Sequence, residues 1–74
     1  MNEIFIVFER LGNDQPYITP YVHEECAKAH YEGNVAIYSD VRKVSADVPF
    51  IENPDRTHFR CGRFECGMYK EELI

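Results

Sequence analysis

Six residues that can bind a metal ion stand in two segments of the chain. They are His23, Cys26 and His30 in the first segment and His58, Cys61 and Cys66 in the second. Each segment contains one H-x-x-C pair, and tetrahedral zinc commonly takes one close pair of ligands from each of two segments. The C-x-x-C knuckle typical of zinc modules is missing, and cysteines are also common core residues. We therefore expect no cofactor and keep a zinc-stabilised binding module as an alternative.

The same residue types could support nucleophilic catalysis. A cysteine nucleophile beside His58 needs a stabilised thiolate and a third group that orients the base. The sequence contains no Gly-rich phosphate loop, paired-carboxylate motif or nucleophile elbow, so we expect no enzymatic activity. Three cysteines are an odd number, which favours reduced thiols in the cytoplasm over a disulfide framework. A bond between Cys61 and Cys66 remains the alternative.

Arginine and phenylalanine alternate in residues 56–64. Arg56, Arg60 and Arg63 are the bases of this segment, and such interleaving is typical of proteins that bind single-stranded nucleic acid. The net charge of −5 opposes contact with a phosphate backbone. We therefore favour phenylalanines that face the core and arginines that pair with acids. A single-stranded nucleic-acid binder is the further alternative, and nucleic acid is not an expected partner.

The negative charge is concentrated in the first part of the chain. Residues 1–41 contain seven acidic and two basic residues, whereas residues 42–74 contain six of each. Glu24, Glu25 and Glu32 fall on one side of a predicted helix, and Asp40 follows them. These four residues are the candidate contact surface for a partner protein, because complementary charge steers association. The alternative is a solvated face that keeps a small domain soluble.

The hydrophobic pattern predicts which elements carry these residues. Residues 3–10 form the clearest strand and are apolar on both faces, which predicts a central strand covered twice or a face at an interface. Residues 17–22 alternate as a second strand, where Pro20 favours an edge position. Residues 23–32 predict a short helix that ends at Gly33. A start with Thr19 as the N-cap is the alternative.

The remaining residues complete a small α+β domain. Residues 35–44 predict a third strand, residues 45–57 a loop, and two F-x-C-G units a C-terminal hairpin that turns at Gly62. We expect one domain over residues 1–74, with a mostly antiparallel sheet (ββαβ plus the hairpin) and one helix packed on one face. The expected core residues are Ile4, Ile6, Phe8, Ile18, Val22, Cys26, His30, Val35, Ile37, Val41 and Phe59.

Part of this pattern resembles a group of known proteins. The strand Ile4–Glu9, the strand Tyr17–Val22, the helical segment Glu24–His30 and Gly33 resemble small phage and prophage proteins of ββαβ order. The resemblance covers residues 3–44 and supplies no site residues. Those of these proteins that are understood bind and inhibit or redirect a bacterial enzyme complex. The resemblance therefore implies stoichiometric binding without catalysis.

Together, these patterns predict a small acidic protein-binding modulator, an inhibitor or adaptor of phage type. Its expected partner is a bacterial host protein, and its expected location is the cytoplasm of that host. A membrane is not an expected partner, because the apolar run Ile4–Phe8 is far shorter than the about 20 residues of a membrane span. A homodimer formed through the doubly apolar first strand or an open sheet edge is a further expectation.

Overall fold

The computed structural model describes residues 2–44 and 48–73, which form one five-stranded sheet and one helix. The elements are β1 (Asn2–Leu11), β2 (Tyr17–Tyr21), α1 (Glu24–Val44), β3 (Phe50–Glu52), β4 (His58–Cys61) and β5 (Phe64–Leu73). The strand order is β2-β1-β5-β4-β3, and all neighbours are antiparallel. The helix packs against the sheet and contacts every strand. The predicted α+β class is confirmed.

The centre of the sheet is the long pairing of β1 with β5. Ten residue pairs join the two strands, from Asn2 opposite Leu73 to Leu11 opposite Phe64. β2 lies at one edge of the sheet, as Pro20 indicated. The predicted C-terminal hairpin is formed by β4 and β5, and Gly62 turns it with a φ of 60°.

The strand predicted over residues 35–44 is wrong, because α1 continues through Gly33 to Val44. The His23 carbonyl accepts the first helical hydrogen bonds, and two acidic residues in the first turn suit the helix dipole. Glycine in a helix costs about 1 kcal/mol. Val35 and Tyr38 offset that cost, since both pack on the core as helical residues. Tertiary packing therefore overrides the tendency of Gly33 to end the helix.

The core lies between α1 and one face of the sheet. Its buried members are Val7, Ala27, Tyr31, Phe59, Cys61 and Cys66. Aromatic rings surround them: Tyr38 stacks on Phe64 with 4.0 Å between ring centroids, and Phe50 stacks on Phe59 at 5.1 Å. The residues just before β4 were predicted as a loop, but Phe50–Glu52 pair with β4 as β3.

The expected core was largely wrong, and Phe59 is its only fully buried member among the residues whose side chains are described. Cys26, Ile37, Ile18 and Val22 are exposed. Ile4, Ile6, Phe8, His30 and Val35 are partly buried, and the side chain of Val41 lies outside the described residues. Ile4 and Ile6 of β1 were assigned to the wrong face of the sheet, because a strand that is apolar on both sides does not reveal which side the helix covers.

The side of the sheet opposite the helix is here called the open face. Alternation along the paired strands puts these residues on it: Ile4, Ile6, Phe8 and Arg10 of β1, Ile18 and Pro20 of β2, Ile51 of β3, His58 and Arg60 of β4, and Glu65, Gly67, Tyr69 and Glu71 of β5. No helix in the described part of the chain is long and apolar enough to cross a membrane, and none covers this face.

Gly67 lies beneath the Phe8 ring in the middle of the open face. The two residues are opposite each other in the β1–β5 register, and Gly67 is buried. A Cβ at this position would overlap the edge of the ring. The absence of a side chain therefore lets Phe8 lie close against the sheet.

We expect Gly67→Ala to lower the free energy of unfolding by about 1–3 kcal/mol, the usual cost of overpacking. The matched control is Gly33→Ala, since a Cβ there meets no atom within 4 Å. The control should raise stability by about 0.5–1 kcal/mol, as expected for replacing glycine in a helix. Urea unfolding followed by circular dichroism measures both. Equal stability of Gly67→Ala and the native chain would contradict the packing described for Phe8.

Candidate functional site

Three cationic or titratable side chains converge on Glu65 on the open face. Arg10 Nη2 donates a hydrogen bond to Glu65 Oε1 at 2.6 Å, and His58 Nε2 lies 2.6 Å from Glu65 Oε2. Arg60 Nη2 lies 3.7 Å from Glu65 Oε1. The strand register explains the convergence, because Arg10 and Arg60 are the two residues directly opposite Glu65. Hydrogen bonds from His58 and Arg10 hold the pKa of Glu65 below its ordinary value, against the opposing effect of burial.

A cleft opens beside Glu65, between the β1–β2 turn and the β4–β5 turn. Gly12 donates its N–H to the carbonyl of Arg63 at 2.7 Å, which fastens one turn to the other. Gly12 and Gly62 have φ values of 63° and 60°, a conformation that glycine adopts without steric cost. The Arg63 guanidinium packs against Gly12, where a Cβ would come within 2.5 Å of Nη2.

This cleft has a volume of about 350 Å³ and is here called the arginine cleft. Its lining residues are Arg10, Gly12, Asn13, Arg60, Gly62, Arg63 and Glu65. Three guanidinium groups face one carboxylate, so the cleft carries a net positive charge within a chain of net charge −5. Within the described residues, Arg63 pairs with no carboxylate.

The sequence predicted two of the three arginines of this cleft. Arg60 and Arg63 belong to it, whereas Arg56 lies in the β3–β4 connection with a φ of 58° and bonds through its N–H to the Asn53 carbonyl. Arg10 was missed. The signal that could have found it is the pairing of the first and last strands, which the sequence does not encode locally.

The two phenylalanines of residues 56–64 do not reach this surface. Phe59 is fully buried and Phe64 stacks on Tyr38 on the helix side of the sheet. Their positions agree with the favoured interpretation of that segment, as does the contact between Arg60 and Glu65. The open face carries the rings of Phe8, His58 and Tyr69. The centroid of the Phe8 ring lies 6.0 Å from that of His58 and 6.4 Å from that of Tyr69.

The candidate acidic surface is carried by α1. Glu24, Glu25, Glu32 and Asp40 all belong to this helix and are exposed. None of them lies on the sheet, so this surface and the open face belong to different layers of the domain. A role for the acidic residues in partner binding stays a prediction.

The six candidate metal ligands are distributed over both faces of the sheet. His23 and Cys26 are exposed near the start of α1, and Cys61 and Cys66 are buried beneath the helix. His58 lies on the open face, where it contacts Glu65. Among the residues that the structure describes, no three His, Cys, Asp or Glu side chains are grouped so that they could hold a metal ion.

His30, the sixth candidate ligand, belongs to a chain of polar contacts that attaches α1 to the sheet. Its Nδ1 lies 2.8 Å from the Tyr21 hydroxyl, and its Nε2 lies 3.2 Å from Glu9 Oε2. Asn34 donates to the same Glu9 oxygen at 2.6 Å and to Cys66 Sγ at 3.5 Å. These contacts give His30 a structural role between β1, β2 and the helix.

The buried thiols lack the surroundings of a nucleophile. Burial, the largest influence, raises the pKa of Cys66 to about 11, although the hydrogen bond from Asn34 acts in the opposite direction. Cys61 donates to the Tyr38 carbonyl at 3.6 Å on the helix side, while His58 belongs to the open face. The sequence neighbours His58 and Cys61 are therefore separated by the sheet. Cys61 and Cys66 are both thiols, without the disulfide considered as an alternative.

We expect Glu65→Gln to lower stability at neutral pH by about 1.5–3 kcal/mol, the range for hydrogen bonds to charged groups. Because its pKa is lowered on folding, Glu65 stabilises the fold above the unfolded-state value of about 4.3. That contribution is lost as the pH falls through the folded-state value. Urea unfolding from neutral pH down to about pH 3 should therefore show the native and variant curves converging.

The control for this variant is Glu71→Gln, an exposed carboxylate of the same strand and the same face. Its replacement should change stability by less than about 0.5 kcal/mol, as for ordinary surface positions. A gap between native protein and Glu65→Gln that is independent of pH would contradict the assigned role of Glu65.

Thiol labelling should distinguish the three cysteines. A maleimide should modify Cys26 rapidly, because it is exposed, and leave Cys61 and Cys66 unmodified in the folded chain. In denaturant all three should react. The variant Cys26→Ser should lose the rapid phase, because both of its remaining thiols are buried. Rapid labelling of that variant would contradict this burial. Mass spectrometry counts the adducts.

Neither a family model, nor a curated protein, nor a solved structure matches the chain. The open face and the arginine cleft are therefore the features from which a function can be inferred.

Proposed function

We propose that this domain is a small protein-binding module that acts by stoichiometric binding, with the open face as its contact surface. The observation that carries the proposal is that β1 has apolar side chains on both faces while α1 packs on only one of them. Ile18 and Tyr69 of the open face are 50% and 44% exposed. Ile4, Ile6 and Phe8 are partly buried beside them. Apolar surface of this kind favours association, because its removal from water contributes about 25 cal/mol per Å².

The dimensions of the open face suit a specific interface. Five strands of 10, 5, 3, 4 and 10 residues, rising about 3.3 Å per residue and spaced by roughly 4.8 Å, give a face of about 500 Å². A standard protein interface buries about 800 Å² on each partner. Contact with the flanking turns would make up the difference.

The charges at the end of this face indicate the chemistry of the partner. Arg10, Arg60 and Arg63 border the apolar centre on the side of the arginine cleft. We propose a partner whose apolar residues are flanked by carboxylates, since complementary charges accelerate encounter and fix the relative orientation. The acidic helix, the surface first favoured by the sequence, has Ile37 as its exposed large apolar side chain among the described residues.

Stoichiometric binding, inhibition or redirection of a partner and a bacterial host context remain parts of this proposal. They are supported by the sequence resemblance and by the absence of a recognised catalytic motif. The separation of His58 from the buried thiols adds support, because His58 contacts Glu65 and cannot act as the base for Cys61.

The test is affinity capture from a bacterial lysate with three forms of the chain. These are the native chain, an open-face variant, Ile18→Glu/Tyr69→Glu, and a matched control, Tyr17→Glu/Ile37→Glu. Tyr17 and Ile37 are 74% and 59% exposed and lie outside the open face, so the control loses more exposed apolar surface than the open-face variant and gains the same charge. We expect the partner retained by the native chain to be lost at least tenfold with the open-face variant, the effect of about 1.4 kcal/mol. The control should retain it.

A third variant, Glu24→Lys/Glu25→Lys/Glu32→Lys, examines the acidic surface of α1. Loss of the partner with this variant, but not with the open-face variant, would contradict the proposed surface and support the original acidic one. The mass of the native chain is first measured by sedimentation. A mass near twice 8.7 kDa for the native chain, together with a monomer mass for the open-face variant, would identify a second copy of the chain as the partner.

A further inference from the structure

The arginine cleft has the composition of a site for a phosphate group. Its three guanidinium groups exceed its single carboxylate by two positive charges, which matches the dianionic form of a phosphate monoester. Arginine binds phosphate oxygens through two parallel N–H donors.

Two of the arginines are held in place before any ligand arrives. Glu65 accepts a hydrogen bond from Arg10 and lies within ion-pair distance of Arg60, and His58 contacts its other oxygen. Arg63 is packed on Gly12 and pairs with no carboxylate among the described residues. Such preorganisation reduces the entropy lost on binding. Arg63 is thus the arginine of the cleft whose N–H donors no described carboxylate uses.

An aromatic platform adjoins the cleft on the same face. Phe8 precedes Arg10 by two residues on β1, so their side chains are separated by about 6.6 Å along the strand. The Phe8 ring lies against Gly67 and has His58 and Tyr69 beside it at centroid distances of 6.0 and 6.4 Å. The ring is partly exposed, and a flat aromatic group can stack on it.

We propose that the arginine cleft and Phe8 together bind a mononucleotide, with the phosphate among the three arginines of the cleft and the base on Phe8. The cleft volume of about 350 Å³ falls at the lower end of the roughly 300–1,000 Å³ of small-molecule sites. A long nucleic acid is disfavoured, because the chain has a net charge of −5, which opposes contact with an extended phosphate backbone. A phosphopeptide would have no use for the ring.

The test is a nuclear magnetic resonance titration of the 15N-labelled chain at low ionic strength with AMP and, separately, with inorganic phosphate. Both should shift the amide signals of Gly12, Asn13, Gly62 and Arg63. AMP should bind roughly tenfold tighter, since one base stacked on an aromatic ring contributes about 1–3 kcal/mol, and about 1.4 kcal/mol corresponds to tenfold. No shift at these four amides with either probe would overturn the proposal.

Variants separate the cleft from the overall charge. Arg63→Gln should weaken both probes at least tenfold, whereas Arg56→Gln removes the same charge outside the cleft and should change neither. Equal weakening by the two variants would show binding governed by net charge and overturn the site. Phe8→Leu should abolish the preference for AMP and retain inorganic phosphate binding, which also reports that the cleft is still folded. An unchanged preference would overturn the assigned role of Phe8.

Two further probes examine the choice of ligand class. A phosphoserine peptide or an oligothymidylate that binds more tightly than AMP would replace the mononucleotide by that class and overturn the proposal. The outcome is distinguishable from that of the protein-binding test. Arg63→Gln leaves the apolar residues of the open face intact. Ile18→Glu/Tyr69→Glu changes two neighbours of Phe8 but leaves the arginine cleft intact, so this variant should still bind inorganic phosphate.

Discussion

A single helix can cover only one face of a five-stranded sheet, and this constraint organises the whole domain. α1 packs on the side of Val7, Phe59 and Cys66, where the large aromatic rings gather. The other face keeps its own apolar side chains on β1 and has no second layer within the described chain. A layered domain normally buries each apolar face against another element. The uncovered face is therefore the feature that any account of function has to explain.

The two faces of the sheet differ in how their charges are used. Beneath the helix, Glu9 accepts from Asn34 and lies beside His30, so its charge serves to attach α1. On the open face, Glu65 gathers Arg10, Arg60 and His58 and thereby creates the wall of a cleft. The net charge of the chain conceals this division. Acidic residues dominate the exposed side of α1, while the ends of two hairpins form a local positive region.

The sequence allowed the fold class, the edge position of β2 and the C-terminal hairpin to be predicted, because each depends on local signals. Pro20 and Gly62 are such signals. The extent of α1 could not be predicted in the same way: Gly33 suggests an end, and the packing of Val35 and Tyr38 that overrides it becomes visible only in three dimensions. The same limitation hid Arg10, whose partner Glu65 is 55 residues away. Charge and spacing were enough to place the acidic residues on one side of the helix and to single out Arg60 and Arg63. The open face could be identified only from the pairing register of the strands.

The pairing of Asn2–Leu11 with Phe64–Leu73 has a consequence for folding. The two central strands are separated by nearly the whole chain, and contacts of such large sequence separation slow folding because a long loop must close before they form. During synthesis β1 leaves the ribosome before β5. Until β5 follows, β1 is apolar on both faces and one of its edges lacks its partner strand. The same strand that supplies the contact surface of the finished domain is thus its principal risk for aggregation before the last strand arrives.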